Sequence, residues 1–359
     1  MNARRLGTVI GIDLRQRVRS VGWYVLLGIF AVILLALLTL SFSSFSLSTG
    51  GNGWFYSLVI MFVLLLVLLV SPTLSGSAVN GDRDAATLAP VQVTLVTTTE
   101  IVLGKFLAAW ISGLAFLVVA LPFLVVATFV GELNPAVIAS SLGILVLEVG
   151  VVAAIGVGVS AIVARPVFSV ATTYLLVAAL TLGTLIAFGL GGTALRTEQT
   201  ITTRDLDWNA VPAGCDPYME NDATECPRPD EIGCTTSTYT TEVPRFDRVW
   251  GVLAANPFVI LADATPPTYD QYGNPSDLFS QIATGVRLAQ IPPETAQSYD
   301  YCANGSLEGR STEDQIAGTV PSWFVGLFLQ LVLAGGLLAW GIARTRTPAR
   351  RLPPGTRIA

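Results

Sequence analysis

The sequence predicts an all-α polytopic membrane protein with six transmembrane helices, an amphipathic helix before them, and a disulfide-bearing extracytoplasmic domain between the fifth and sixth. Three observations support this fold class. Of the 359 residues, 52% are hydrophobic and 13% are charged. Six apolar stretches are long enough to cross a bilayer, and all four cysteines lie in one acidic segment. This composition excludes an ordinary soluble domain, a disordered chain and a nucleic-acid-binding protein.

The first element is predicted within residues 1–20, ahead of any spanning stretch. Apolar residues recur there at helical spacing, and arginines cluster at both ends of the segment. This pattern predicts an amphipathic helix that lies on the inner leaflet, with its arginines near anionic lipid headgroups. The residues of the apolar face are Leu6, Val9, Ile10 and Leu14.

Six stretches meet the length that a spanning helix needs, about 20 apolar residues for a hydrocarbon core of about 30 Å. The first is longer than the apolar region of a signal peptide and has no cleavage site after it, so we expect it to remain as a span. The spans are predicted at residues 21–40, 54–72, 106–130, 136–164, 166–192 and 321–342. Five spans thus fall in residues 21–192, and the sixth in residues 321–343.

Positive charge in short loops marks the cytoplasmic side of a membrane protein. Basic residues fall in the N-terminal segment, in the loop 75–105, at Arg165 and in the tail 344–359. The short loops 43–53 and 131–135 contain none. We therefore expect a multi-pass plasma-membrane protein with both termini in the cytoplasm and the segment between spans five and six outside.

The inner loop 75–105 mixes charged and apolar residues. Asp82, Arg83 and Asp84 come before a short helix-forming run, and acidic residues suit the positive end of a helix dipole. Two interpretations remain open, a surface helix that transmits force from a cytoplasmic partner and a plain connector. Lys105, which ends the loop, is expected to extend its amine to the membrane interface.

The outer segment 193–320 has 19 acidic residues and seven arginines, whereas the rest of the chain has six acidic and 13 basic residues. All cysteines are in it, which predicts two disulfides in an oxidising compartment. A metal site is the weaker alternative, because the sequence has no C-x-x-C pair and no histidine. Three pairings are open to Cys215, Cys226, Cys234 and Cys302.

Residues 248–263 are much more apolar than the rest of the outer segment, but Asn256 and Pro257 interrupt them. Such a stretch fits a re-entrant or interfacial element. A core helix of the outer domain fits it equally well.

Glu148 is the one acidic residue predicted deep inside a span, where a carboxylate is costly and therefore suggests function. No lysine or arginine is predicted near it. Two roles remain open, a structural hydrogen bond and a place on a transport pathway, for instance in contact with a cationic substrate.

Around its inner loop the sequence resembles the permease subunits of type-2 ABC exporters. Charged residues and Thr87-Leu88 are followed by the run TEIVLGK at residues 99–105, similar to the family's entry to its third span. The order of elements is also similar, and Asn256-Pro257-Phe258 resembles an Asn-Pro stretch that the family has before its last span. Ala85-Ala86 and Ala89 depart from the family pattern, which often has glycine and glutamate there.

The resemblance implies that the chain forms half of a two-permease pore that exports a hydrophobic or amphipathic substrate. Its partners would be a cytoplasmic P-loop ATPase, a second permease and membrane lipids, with no nucleic acid. The chain itself would be neither an enzyme nor a cofactor protein, because ATP and Mg²⁺ would bind to the ATPase. The sequence agrees in having no G-x-x-x-x-G-K-[ST] motif. The implied ATPase interface is Asp82, Arg83, Asp84, Thr87 and Leu88.

Two other functions are compatible with the sequence. In a polytopic membrane enzyme the outer domain would do the chemistry, with close acidic pairs such as Asp216 and Glu220 as acid and base. Such pairs are expected by chance in so acidic a segment. In an envelope scaffold the outer domain would bind a partner, and no ATPase would be associated.

Overall fold

The structure is a computed structural model, and it describes residues 2–45, 53–85, 97–131, 134–212, 215–216, 226–227, 231–302 and 311–345. These residues are mostly helical. Six helical segments are long and apolar enough to cross a membrane, as predicted, so the chain is a multi-pass membrane protein. The helices of the first five spans and the short helices beside them are α1 Ala3–Val18, α2 Val21–Phe45, α3 Gly53–Ser75, α4 Asn80–Asp84, α5 Thr98–Gly131, α6 Pro135–Ile162, α7 Pro166–Ala178 and α8 Thr184–Ala194.

The fifth span is continuous but not uniform, because a π-helical turn at Ala179–Gly183 joins α7 to α8. A π turn inserts one extra residue into the hydrogen-bond ladder and is frequent at functional sites. The turn lies near the middle of the span, where a side chain from the outer segment, Asn256, donates a hydrogen bond to it.

A three-stranded sheet corrects the prediction of an all-α fold. The central strand β1 (Arg196–Leu206) pairs antiparallel with β2 (Cys234–Pro244) and parallel with β3 (Ala296–Asp300). The two long strands are rich in threonine, a β-branched residue that favours strands. They lack the alternation of apolar and polar residues that identifies a half-buried strand in sequence, and most of β2 is indeed exposed.

The disulfide pairing that the sequence left open is Cys215 with Cys226 and Cys234 with Cys302. Cys234 begins β2, and Cys302 follows the end of β3. Because β2 and β3 are the two edges of the sheet, the second disulfide ties the edges together across one end of β1.

The rest of the outer segment is helical, and part of it packs into the membrane bundle. Ile260 and Leu261 share the largest apolar core with Phe55 on α3, and the ring of Phe279 packs edge to face on Tyr56 at 6.3 Å between ring centres. The outer segment therefore closes one end of the bundle. Its helices are α9 Trp250–Ala254, α10 Pro257–Asp263, α11 Leu278–Leu288 and α12 Thr312–Ile316, and the sixth span is α13 Trp323–Thr345.

Burial differs strongly among the spans. In the most apolar window of α6, 72% of the residues are buried, against 11% for α2 and 17% for the fifth span. The centre of the bundle is thus α6, while α2 and the fifth span lie at its edges. We call the end of the bundle that has α1 and α4 the α1 end, and the opposite end the sheet end.

Candidate functional site

The short helix α4 is fixed to the α1 end of α6 by one serine. Ser160 Oγ accepts hydrogen bonds from the backbone N–H groups of Val79 at 2.9 Å and Asn80 at 3.1 Å, and donates to Asn80 Oδ1 at 3.0 Å. The Asn80 amide donates onward to the carbonyl of Val163 at 3.1 Å. Ser160, Val79 and Asn80 are all fully buried. The start of α4 is therefore bonded directly to the central helix of the bundle.

Close backbone packing supports this attachment. A Cβ atom added at Gly156 would overlap the side chain of Ser75, and one at Gly76 would lie 3.0 Å from Val170 Cα. Gly156 and Ser160 form a small-x-x-x-small pair, a spacing that lets helices approach closely. They serve that purpose within the chain, where both face the turn from α3 to α4.

Lys105, the only lysine of the chain, lies at the centre of a charge cluster with Asp82 of α4 and Asp13 of α1. Its amine is 2.6 Å from Asp82 Oδ2 and 3.4 Å from Asp13 Oδ1, and its side chain is 4% exposed. The expectation that Lys105 extends to the membrane interface is wrong, because the two carboxylates draw the amine inward. Burial raises the pKa of Asp13, and the charge of Lys105 opposes that rise.

The amphipathic helix α1 is locked onto the first turns of α5. The Glu100 carboxylate accepts hydrogen bonds from the N–H groups of Asn2 at 2.7 Å and Thr97 at 2.9 Å. A Cβ atom at Gly104 would lie 2.7 Å from Val9, so the two helices approach closely there. Lys105 thus joins α1, α4 and α5 at one point.

The predicted ATPase interface is brought only partly to the surface. Asp82 faces Lys105, so its carboxylate helps to hold α4 in place. Arg83 is half-buried, and Asp84 is exposed at the end of α4. Thr87 and Leu88 lie outside the described residues.

Asn256-Pro257-Phe258 forms the junction between α9 and α10, which we call the broken-helix junction. Asn256 caps α10 by accepting a hydrogen bond from the Phe258 N–H at 2.9 Å. Its amide nitrogen donates to the carbonyl of Thr181 at 2.7 Å and to Thr184 Oγ1 at 2.9 Å. Thr181 belongs to the π turn of the fifth span, so the junction lies at the depth of a membrane-spanning helix. This position favours the re-entrant interpretation over a core helix of a separate outer domain.

Asp263, at the end of α10, holds the start of α13. Its fully buried carboxylate pairs with Arg287 Nε at 2.6 Å and accepts hydrogen bonds from Ser322 Oγ at 2.9 Å and from the N–H of Trp323 at 3.1 Å. The N–H of Ser322 also donates to it. The first turn of a helix has free N–H groups, and a carboxylate satisfies them well.

Glu148 lies midway along the 28-residue helix α6 and is fully buried. Its neighbour is Gln330 of α13. Neither carboxyl oxygen has a hydrogen-bond partner. Because Glu148 is fully buried, a substrate could reach it only if the helices around it moved.

An apolar cavity of about 230 Å³ lies beside this position, between α5, α6 and α13. Trp110, Val151 and Ala334 are among the side chains that line it. Val151 is one helical turn from Glu148, and Ala334 is one turn from Gln330, so the cavity lies next to the two polar residues on the side of the α1 end.

Asn80 and Gln330 help to shape this region and were not found from the sequence. Asn80 looks like an ordinary polar residue in an apolar context, and Gln330 is a neutral residue within a span. Such residues could have been identified from the rule that polar residues inside spans are rare and need hydrogen-bond partners. In the described ranges, no three His, Cys, Asp or Glu side chains are grouped as metal ligands would be.

Comparisons with known proteins do not assign a family. No protein-family model matches the chain, and no curated protein or solved structure is significantly similar to it.

Proposed function

We propose that this chain is the permease subunit of an ABC exporter, embedded in the plasma membrane with both termini in the cytoplasm. It would move a hydrophobic or amphipathic substrate with energy from ATP that a separate subunit hydrolyses. The observation that carries the proposal is the attachment of α4. This short charged helix is bonded to α6 through Ser160 and to α1 and α5 through Lys105.

The geometry supports a mechanical role for α4. Asp84 is exposed at its end, where a cytoplasmic protein could bind, and Asn80 at its start is fully buried. An element that is exposed at one end and fixed to several spans at the other can convert a push from a partner into a tilt of those spans. A plain connector has no need of a buried hydrogen-bond hub.

In the proposed complex, ATP and Mg²⁺ bind between the ATPase subunits and not to this chain. The second permease, identical or homologous, would lie against one of the two least buried spans, α2 or the fifth. Membrane lipids would cover the rest. Glu148 is the pathway candidate, and the apolar cavity beside it suits a substrate with a hydrophobic part.

The proposal can be tested by photo-crosslinking in the native cells. Ala85 is exposed directly after α4, so a photo-reactive amino acid there should crosslink to a cytoplasmic protein that has a P-loop. The matched control is the same amino acid at Tyr239, which is exposed on β2 at the sheet end.

The expected result is an ATPase adduct from position 85 and none from position 239. An ATPase adduct from position 239 would reverse the proposed orientation. If neither position yields an ATPase while the protein stays in the membrane, the exporter proposal fails and an envelope scaffold becomes the better account.

A further inference from the structure

Two neighbouring side chains in the middle of the bundle, Glu148 of α6 and Gln330 of α13, carry three buried oxygens without a hydrogen-bond partner. Glu148 and Gln330 are 0% and 1% exposed. Both carboxyl oxygens of Glu148 and the amide oxygen of Gln330 lack a hydrogen-bond partner. Acceptors buried at membrane depth are costly unless something donates to them.

The helices around Glu148 and Gln330 are closely packed. Helices α6 and α13 run side by side, since a Cβ atom at Gly341 would lie 2.7 Å from Ala161 Cβ and one at Gly158 would lie 2.8 Å from Leu337. Four residues before Gln330, a Cβ atom at Gly326 would overlap the carbonyl of Ala254. This close approach lets the Gln330 amide nitrogen donate to the carbonyl of Ala255 at 3.0 Å.

No described cation is placed to neutralise Glu148. On α5, Lys105 is bound to Asp13 and Asp82 at the α1 end, and on α13 Arg344 is about 21 Å of helix beyond Gln330. The other titratable groups on the packed helices already have partners. These are Glu100 with Asn2 and Thr97, Tyr56 with Ser141, Tyr174 with the Leu69 carbonyl, and Asp263 with Arg287.

We propose that Glu148 and Gln330 form a proton-binding site in which the Glu148 carboxyl group is neutral and its O–H donates to Gln330 Oε1. The bound proton, taken from water, satisfies two of the three free acceptors at once. It removes a negative charge that would otherwise stand in hydrocarbon with no partner. This site does not depend on the proposed exporter function.

The proton also has a structural consequence. Gln330 is already bonded to Ala255, so the O–H bond from Glu148 would join α6, α13 and the broken-helix junction into one unit. Loss of the proton would put a carboxylate beside an amide oxygen and loosen that unit. The site is thus a place where proton binding and the arrangement of the helices are linked.

Infrared spectroscopy of the full-length protein in lipid nanodiscs at neutral pH tests the proposal. The wild type should show the carbonyl stretch of a protonated carboxylic acid, and this band should shift on exchange into D₂O. The Glu148→Gln variant should fold and lose the band completely, because a carboxamide has the shape of the neutral acid and can still donate to Gln330. A wild type without the band, or a band that persists in Glu148→Gln, would overturn the proposal.

A second variant and a change of salt identify the bound species and its acceptor. Gln330→Leu should keep the band but shift it to a higher frequency, because the Glu148 carboxyl group would lose its hydrogen bond. An unchanged frequency would rule out Gln330 as the acceptor. Replacement of K⁺ by Na⁺ at constant ionic strength should leave the wild-type band unchanged. Loss of the band in Na⁺ would mean that the site binds a metal cation instead of a proton.

Discussion

At the scale of single residues, sequence reasoning identified unusual residues but not their partners. Glu148 was singled out because a carboxylate in a span is costly, whereas Gln330, 182 positions later, gave no comparable signal. Asn256 was found through its Asn-Pro pattern, yet its partners Thr181 and Thr184 lie on the fifth span, more than 70 positions earlier in the chain. Local sequence determines which side chains are costly to bury, but only the packing of distant helices determines what satisfies them.

Replacement of Ser160 by alanine is expected to loosen α4. The change leaves the N–H groups of Val79 and Asn80 buried without an acceptor, which should lower the free energy of unfolding by about 2–3 kcal/mol. Unfolding of the purified protein by SDS titration measures the loss.

The matched control is Ser169→Ala. Ser169 is equally buried, but its hydroxyl has no hydrogen-bond partner, so its removal should be nearly neutral or stabilising. If the two variants were equally destabilised, the effect would come from lost packing and the hub at Ser160 would be unimportant.

At the scale of elements, the six spans were predictable and the sheet was not. A span is recognised from about 20 consecutive apolar residues, which is a local property. Strands β1 and β2 are polar, and most of β2 is exposed, so the two strands show no alternation of apolar and polar residues. Their threonines alone do not identify them as strands. The strands pair residues that are 28 to 96 positions apart, and the composition of each segment gives no information about that pairing.

The attachment of α1 to α5 should depend on pH through Asp13. Because burial raises its pKa above the ordinary 3.8, the folded protein binds this proton more tightly than the unfolded chain does. The stabilisation from protonated Asp13 is therefore complete below about pH 3.8 and is lost as the pH rises through the folded-state pKa.

Wild type and Asp13→Asn can be compared by SDS unfolding at a series of pH values. The difference in free energy of unfolding, wild type minus variant, should fall as the pH rises from about 3.8 through the folded-state pKa of Asp13. Above that pKa the difference should level off. A difference that increases with pH would mean that attraction to Lys105 outweighs burial at Asp13.

The contact between α13 and the broken-helix junction can be tested at two glycines of one helix. Gly326→Ala should destabilise the protein by about 2 kcal/mol, because the new methyl group meets the carbonyl of Ala254. Gly336→Ala, with no atom within 4 Å of its Cβ position, should be neutral or stabilising by up to about 1 kcal/mol, as alanine favours helices. Equal effects in thermal unfolding would contradict the close approach of α13 to the junction.

At the scale of the whole molecule, the outer segment combines a sheet held by disulfides with helices that enter the bundle. The location of the disulfides in the acidic segment was predictable from the cysteine positions. Their pairing was not, since it follows from strand order, which brings the start of β2 and the end of β3 together. The charge asymmetry of the chain predicted two environments but not that residues 250–288 would pack against the spans.

The two disulfides should contribute unequally to stability. Cys234–Cys302 spans 68 residues and Cys215–Cys226 spans 11. Loop-closure entropy predicts a loss of about 4 kcal/mol for the Cys234→Ser/Cys302→Ser variant and about 3 kcal/mol for Cys215→Ser/Cys226→Ser. Limited proteolysis of the outer segment at increasing urea concentration measures both, and the reverse order would show that native-state contacts, not chain entropy, decide the effect.

The most direct test of the exporter proposal is to purify the tagged chain from its native membrane in a mild detergent and to assay ATP hydrolysis by what remains bound. The account predicts a P-loop ATPase in fixed stoichiometry, and hydrolysis that weakens in Arg83→Gln but not in the control Arg196→Gln on β1 at the sheet end. A correctly folded chain that repeatedly purifies without any ATPase would contradict it.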